Sequence, residues 1–133
     1  MKLPSIRKNT VVVIPNHNGA LYIKRVLDKL CEQYPKTPIY VYDDASKDDS
    51  LEIVMGYRCF RKVKRLRVFH SYTRMGFDST VFRLKELAEE DGYDKFIVFN
   101  LYDIIYHDKE RKRKMGFIQR KEENSSLWER KGC

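Results

Sequence analysis

The sequence has no long apolar run: nowhere do its hydrophobic residues approach the roughly 20 in succession that a membrane-spanning helix needs. Lys2, Arg7 and Lys8 sit near the start with no signal-like apolar stretch behind them. These absences predict a soluble, intracellular protein, either cytoplasmic or peripheral to the inner face of a membrane. Cysteine is also sparse. Cys31, Cys59 and Cys133 are widely spaced, odd in number and match no CxxC or Cys/His pattern, which argues against a disulfide framework and against a zinc site. Glycine is just as thin, and Gly19 alone follows the first strand-like segment. No GxGxxG fingerprint and no P-loop is therefore present, so neither a dinucleotide site nor a Walker-type site is expected.

What the chain does carry is positive charge. A formal net charge of +8 over 133 residues favours polyanionic partners: a nucleotide diphosphate, an anionic lipid surface or nucleic acid. The last of these is not expected, because the charge and nine tyrosines come without a recognition helix or an aromatic RNA-binding motif. The length fits one domain spanning 1–133.

The organising stretch is Val11 to Gly19. Four β-branched residues in a row, Val11 to Ile14, suit a strand covered on both faces, and Pro15, lacking an N–H, is expected to end its pairing. Asn18 is placed to cap a helix that carries Ile23, Val26, Leu27, Leu30, Cys31 and Tyr34 along one face. Ile39 to Tyr42 reads as a second strand ending at Asp43-Asp44-Ala45-Ser46. Ser46-Lys47-Asp48-Asp49 has the form of a capping box, predicting a second helix from about Lys47 to Tyr57 or beyond. The basic stretch Arg58, Arg61, Lys62, Lys64, Arg65 and Arg67 is read as a solvated face or, alternatively, a phosphate or lipid contact.

A third strand, Leu66 to His70, leads through a loop containing Arg74 and Gly76 into a helix from about Ser79 to Glu90, which should bury Val81, Leu84, Leu87 and Ala88. Gly92 ends it. The apolar run Phe96 to Phe99 belongs beside the first strand and stops at Asn100-Leu101-Tyr102-Asp103. Residues 108–133 read as a Lys/Arg-rich helix to about Arg120 followed by a loose tail. The alternation βαβαβαβ predicts an α/β fold: a doubly wound open parallel sheet, Rossmann-like, with helices on both faces and strand order 3-2-1-4, with room for extra elements. The winding then reverses between strands one and four, and Asn16 to Asn18, Asp43-Asp44 and Asn100 to Asp103 converge on one crevice. Carboxylates there can accept from a base N–H or a ribose hydroxyl, and a hard metal ion can bridge a carboxylate to a diphosphate, so the crevice reads as a nucleotide site.

Those segments carry a resemblance. Val-Val-Ile-Pro-Asn-His-Asn-Gly at 12–19, a helix with Leu27, Leu30 and Gln33-Tyr34-Pro35, and the strand Ile39 to Tyr42 running into Asp43-Asp44-Ala45-Ser46-Lys47-Asp48 resemble the opening of family-2 glycosyltransferases of the GT-A fold. The resemblance implies transfer of a sugar from a nucleotide-diphosphate sugar, often a uridine one, to an acceptor hydroxyl with inversion at the anomeric carbon. It implies a nucleotide site drawn from Pro15, His17, Asn18, Asp43, Asp44, Arg74 and Asn100, with Pro15 and His17 lining the base pocket, Asp44 accepting from the base and Asn100 meeting the ribose.

Arg74-Met75-Gly76-Phe77 is similar to the family's Asn-x-Gly-Phe turn, while Phe82 and Leu84 replace the Asn and Gly usual within the next helix. The metal motif is reduced to Asp103, which implies a manganese or magnesium ion held by that carboxylate. Only a short basic tail follows, so the catalytic base is unassigned, and Glu122 and Glu123 read as solvated surface. The rival reading is a non-catalytic nucleotide-binding or protein-interaction module that has lost the acceptor half. The basic faces Arg58 to Arg67 and Lys109 to Lys114 further suggest contact with an anionic membrane.

Overall fold

A computed structural model describes residues 9–101 and 130–131 of the chain. The elements run β1 (Thr10–Asn16), α1 (Ile23–Gln33), β2 (Ile39–Asp44), α2 (Ser50–Phe60), β3 (Leu66–Ser71), α3 (Phe77–Glu90), β4 (Lys95–Val98) and β5 (Arg130–Lys131). Four strands pair in parallel in the order β3-β2-β1-β4, as the alternation predicts, and the two-residue β5 adds antiparallel to β4. Asp103 and the expected basic helix from Asp108 lie outside the described residues.

Strand alternation divides the interior into two apolar layers. Val12, Ile14, Ile39 and Val41 pack with Ile23, Val26, Leu27 and Leu30 of α1 and with Val54 and Tyr57 of α2. Val11, Val13, Tyr40 and Tyr42 point the other way and pack with Val81, Leu84 and Ala88 of α3. The same two-residue period runs on into the acidic pair at the end of β2. Asp43 falls on the α1–α2 side and Asp44 on the α3 side, so neighbours in sequence serve opposite faces of the sheet. Both are buried.

Three local expectations are corrected. Pairing does not end at Pro15: its register partner is Tyr42, and Asn16 pairs with Asp43 beyond it. Val12 N–H donates toward β2, to the Pro38 carbonyl, whereas Val13 accepts from Phe99 N–H on the β4 side. Residue 15 thus turns its missing donor toward β4, where the ladder has already finished, and the β2 ladder continues undisturbed. Asn18 does not cap α1, whose N-cap is Tyr22 without a side-chain bond; it sits at φ 54° in a left-handed turn. The capping box does not form either. Ser46 turns inward to Asp43, and α2 begins at Ser50 rather than near Lys47.

Candidate functional site

The loops that follow β1 and β2 are tied to each other by side chains from both. Asn16 Nδ2 donates to Asp43 Oδ1 at 2.7 Å, and Ser46 Oγ donates to the same oxygen at 2.6 Å. Ser46 Oγ in turn accepts Asn18 N–H at 2.8 Å, Asn18 Oδ1 accepts Lys47 N–H at 2.8 Å, and Asp48 Oδ2 accepts Ala20 N–H at 3.0 Å. His17 joins the same web: its Nδ1 lies 2.7 Å from the Asp44 carbonyl oxygen and its Nε2 lies 3.0 Å from Asn18 Nδ2. A carbonyl can only accept, so Nδ1 carries the proton and Nε2 accepts from the amide. Asn18 and Asp43 therefore help tie the loop after β1 to the loop after β2.

Asp44 ties in the loop after β3. Its Oδ1 accepts Met75 N–H at 2.7 Å and Ser71 Oγ at 3.3 Å, and its Oδ2 accepts Gly76 N–H at 2.8 Å and Arg74 Nε–H at 3.0 Å. A carboxylate offers about four lone-pair sites, and this one fills them all from its own chain. Burial alone would raise the Asp44 carboxyl, but the two backbone N–H groups, with Arg74 and Ser71, outweigh it and hold the group below the ordinary carboxylate range. Gly76, at φ 93°, turns the chain so that its N–H reaches Asp44 while its carbonyl starts α3, accepting both Thr80 N–H and Thr80 Oγ1–H. Arg74 is left with its Nε bound and its side chain 56% exposed.

Beside these loops lies a cleft of about 210 Å³, lined by Pro15, Asn16, His17, Asp44, Arg74, Phe77, Thr80, Asn100 and Leu101. It sits at the carboxyl ends of the strands, beside the reversal of winding. Of the residues the sequence nominated, Pro15, His17, Asp44, Arg74 and Asn100 meet here, Asn18 and Asp43 are not among the lining residues, and Asp103 lies outside the described residues. Asn16 and Leu101, from segments expected to converge on the crevice, also line it, while Phe77 and Thr80 were missed as lining residues. Placing the start of α3 at Ser79 hid these two, because the helix opens two residues earlier and puts both on its first turn. Asn16 Oδ1 is buried without a partner among the described residues, and Gly19 is what leaves room for it.

A divalent ion needs oxygen ligands, usually carboxylates. Among the described lining residues the sole carboxylate is Asp44, and its acceptor positions are filled from within. No group of three His, Cys, Asp or Glu side chains clusters as a metal site among the described residues. The described part of the cleft does not by itself furnish a metal ligand set.

A mainly parallel open sheet whose winding reverses beside a cleft at its strand ends defines an α/β domain of the Rossmann-like class. Residues 11–99 match the model of "Glycosyl transferase family 2", and the chain belongs to that family. No curated protein sequence matches it. Among solved structures it is similar to a mannosyltransferase, PcManGT from Pyrobaculum calidifontis in complex with GDP-Man and Mn2+. That likeness has 22% identity and a TM-score of 0.61 over 76% of this chain and 29% of that one. It is also similar to S. aureus TarS in complex with UDP, at 24% identity and a TM-score of 0.55 over 69% of this chain and 27% of that one. These likenesses are of fold, GT-A in type, and the chain spans under a third of either structure.

Proposed function

We propose that the cleft takes the nucleotide diphosphate of a sugar donor and that the chain serves glycosyl transfer to an acceptor hydroxyl. The observation that carries this reading is a convergence: in a family-2 chain, Pro15, His17, Asp44, Arg74 and Asn100 come from separate segments to line one cleft where the winding reverses. Pro15 and the His17 ring form an apolar and aromatic wall suited to a base. Asn100, at the end of β4, offers an amide to ribose hydroxyls. Asn18 and Asp43 support that wall through the ties between the two loops.

Asp103 follows Asn100 closely in sequence and is the carboxylate we assign to a manganese or magnesium ion, whose chemistry when bound would be to neutralise charge on the diphosphate. Transfer with inversion requires that the acceptor oxygen lose its proton to a base as it attacks the anomeric carbon and the diphosphate departs. No described residue is assigned as that base. The resemblance in the opening segments implied a uridine donor, while the two similar structures are complexes with GDP-Man and with UDP. A peripheral contact with an anionic membrane is supported by the net charge of +8.

The test is turnover together with binding. Incubation of the full chain with GDP-mannose and with UDP-glucose, with and without manganese, should release the diphosphate in a metal-dependent way, and Asp103→Asn should abolish the metal's effect while sparing binding measured without it. Diphosphate binding with no release of product under any condition would favour the non-catalytic module instead.

A further inference from the structure

Among the described residues, Arg74 is the cationic side chain that lines the cleft, and only its Nε has a partner there, the buried Asp44 carboxylate. Its two terminal amino groups have none among the described residues. The guanidinium is planar and donor-only, so a fork pinned at Nε presents a fixed pair of N–H donors to whatever enters. Sheet order says which part of a nucleotide that is. Arg74 is held on the end of β2 beside β3, Asn100 stands at the end of β4, and β1 lies between. With ribose and diphosphate assigned to the Asn100 end, the base falls at the Arg74 end.

We infer that Arg74 reads the base and that the base is guanine, a step that rests on the nucleotide reading above. Guanine presents two adjacent acceptors, O6 and N7, and these match an arginine fork as a bidentate pair. Adenine sets an amino donor against the same fork. Uracil alternates acceptor, donor and acceptor along its edge, and its N3–H needs a carboxylate or similar acceptor. Asp44, the carboxylate the sequence nominated for that task, has its four acceptor sites filled by Ser71, Arg74, Met75 and Gly76. Asp44 is thus a positioning residue whose work is to aim the fork, and Phe77 and Pro15 supply apolar surface beside it.

The experiment is calorimetric titration of the full chain with GDP, inosine diphosphate, 7-deaza-GDP, ADP and UDP. GDP and inosine diphosphate, which keep O6 and N7, should bind on the order of ten- to a hundredfold more tightly than UDP and ADP, the range that one good bidentate pair gives. The 7-deaza compound, lacking one acceptor, should fall between. Arg74→Ala removes a side chain more than half exposed, so the fold should survive, and the preference for guanine should vanish while residual binding becomes similar for all five. UDP binding as tightly as GDP, or a guanine preference that survives Arg74→Ala, would overturn the inference and leave the nucleotide site standing. Failure of all five to bind would overturn the nucleotide reading, and this one with it.

Discussion

Asn18 Oδ1 accepts Lys47 N–H at 2.8 Å, and that contact fixes which way the Asn18 amide faces and hence which nitrogen of His17 holds the proton. With Oδ1 committed, the amide turns Nδ2 to His17 Nε2, and the ring must donate through Nδ1 to the Asp44 carbonyl. Long-range proton–nitrogen correlation at neutral pH should find Nδ1 protonated and Nε2 bare in the neutral ring. The opposite tautomer would show that the loops after β1 and β2 are not tied in this way. Asn18→Ala should leave the Nδ1 proton in place and release Nε2 to solvent.

Gly19 is required by contact, not by its backbone angle. A Cβ there would lie 2.3 Å from Asn16 Oδ1 and 2.4 Å from Leu101 Cδ1, too close for either atom to remain. Gly19→Ala should cost about 1–3 kcal/mol, as overpacking of a filled interior does, and should disturb the cleft through Asn16 and Leu101. Gly76→Ala meets no atom within 4 Å, and its penalty comes from φ 93° with ψ 162°, a conformation nearly confined to glycine that costs a side chain about 1–3 kcal/mol. Urea unfolding of both variants separates the two causes when read with nucleotide titration. The Gly19 variant should lose affinity beyond its loss of stability if Asn16 shapes the cleft floor.

The strand order was legible because two apolar runs, Val11 to Ile14 and Phe96 to Phe99, can only be satisfied at the centre of a covered sheet, and the chain direction then follows from right-handed crossovers. Pro15, Asn16, His17, Asp44 and Asn100 were legible as lining one cleft for the same reason, since the winding brings strand ends together, whereas Arg74 was nominated through the resemblance of its turn. The loops were not legible, because their partners are distant in sequence. Ser46 with Asp49 satisfies a local capping pattern, yet Asp43 and Asn18, reached only in the folded chain, compete for the Ser46 hydroxyl and win. The start of α3 was misplaced likewise: Asp44, some thirty residues away, binds the N–H groups of Met75 and Gly76 and sets where the helix can begin. A pairwise tie of this kind leaves no periodic trace.

In the basic stretch that runs from the end of α2 into β3 the arginines are occupied within the chain, which makes arginines and lysines separable. Arg58 Nε–H donates to the Leu66 carbonyl, Arg65 reaches the carbonyls of Thr37 and Tyr34, and Arg61 lies 3.4 Å from Asp28. Arg67 pairs with Asp91 and sits over the rings of Tyr40 and Phe69. Arg65→Ala should therefore cost roughly 1–2 kcal/mol in stability, the loss of charged hydrogen bonds to backbone, whereas Lys62→Ala and Lys64→Ala should stay within about 0.5 kcal/mol of wild type. If an anionic surface is touched here, it is the lysine variants that should weaken co-sedimentation with phosphatidylserine vesicles. A vesicle defect confined to Arg65→Ala would mean that membrane contact needs the loop's shape and not its free charge.

The Asp44 carboxylate also sets an acid limit on the fold. Its burial opposes ionisation, but the N–H groups of Met75 and Gly76, with Arg74 and Ser71, more than compensate and lower its folded value below the ordinary 3.8. A group depressed on folding contributes stability that is complete above its unfolded value and is lost as pH falls through the folded one, because the unfolded chain takes up the proton first. The stability that Asp44 contributes should thus be complete from neutrality down to about pH 5 and be lost as pH falls below the ordinary carboxylate value of 3.8. Asp28 and Asp48 are lowered too, so the decline will not belong to Asp44 alone.

Asp44→Asn isolates its share. An amide keeps one acceptor oxygen but sets an NH2 against the remaining donors, so stability at pH 7 should fall, and the slope of unfolding free energy against pH below 4 should become shallower by the part that Asp44 carried. Urea unfolding at pH 7, 5, 4 and 3 on both proteins measures it. Parallel acid slopes in the two proteins would mean that Asp44 titrates alike in the folded and unfolded chains, and that the four-donor cradle at the root of the Arg74 loop does not hold a carboxylate in solution.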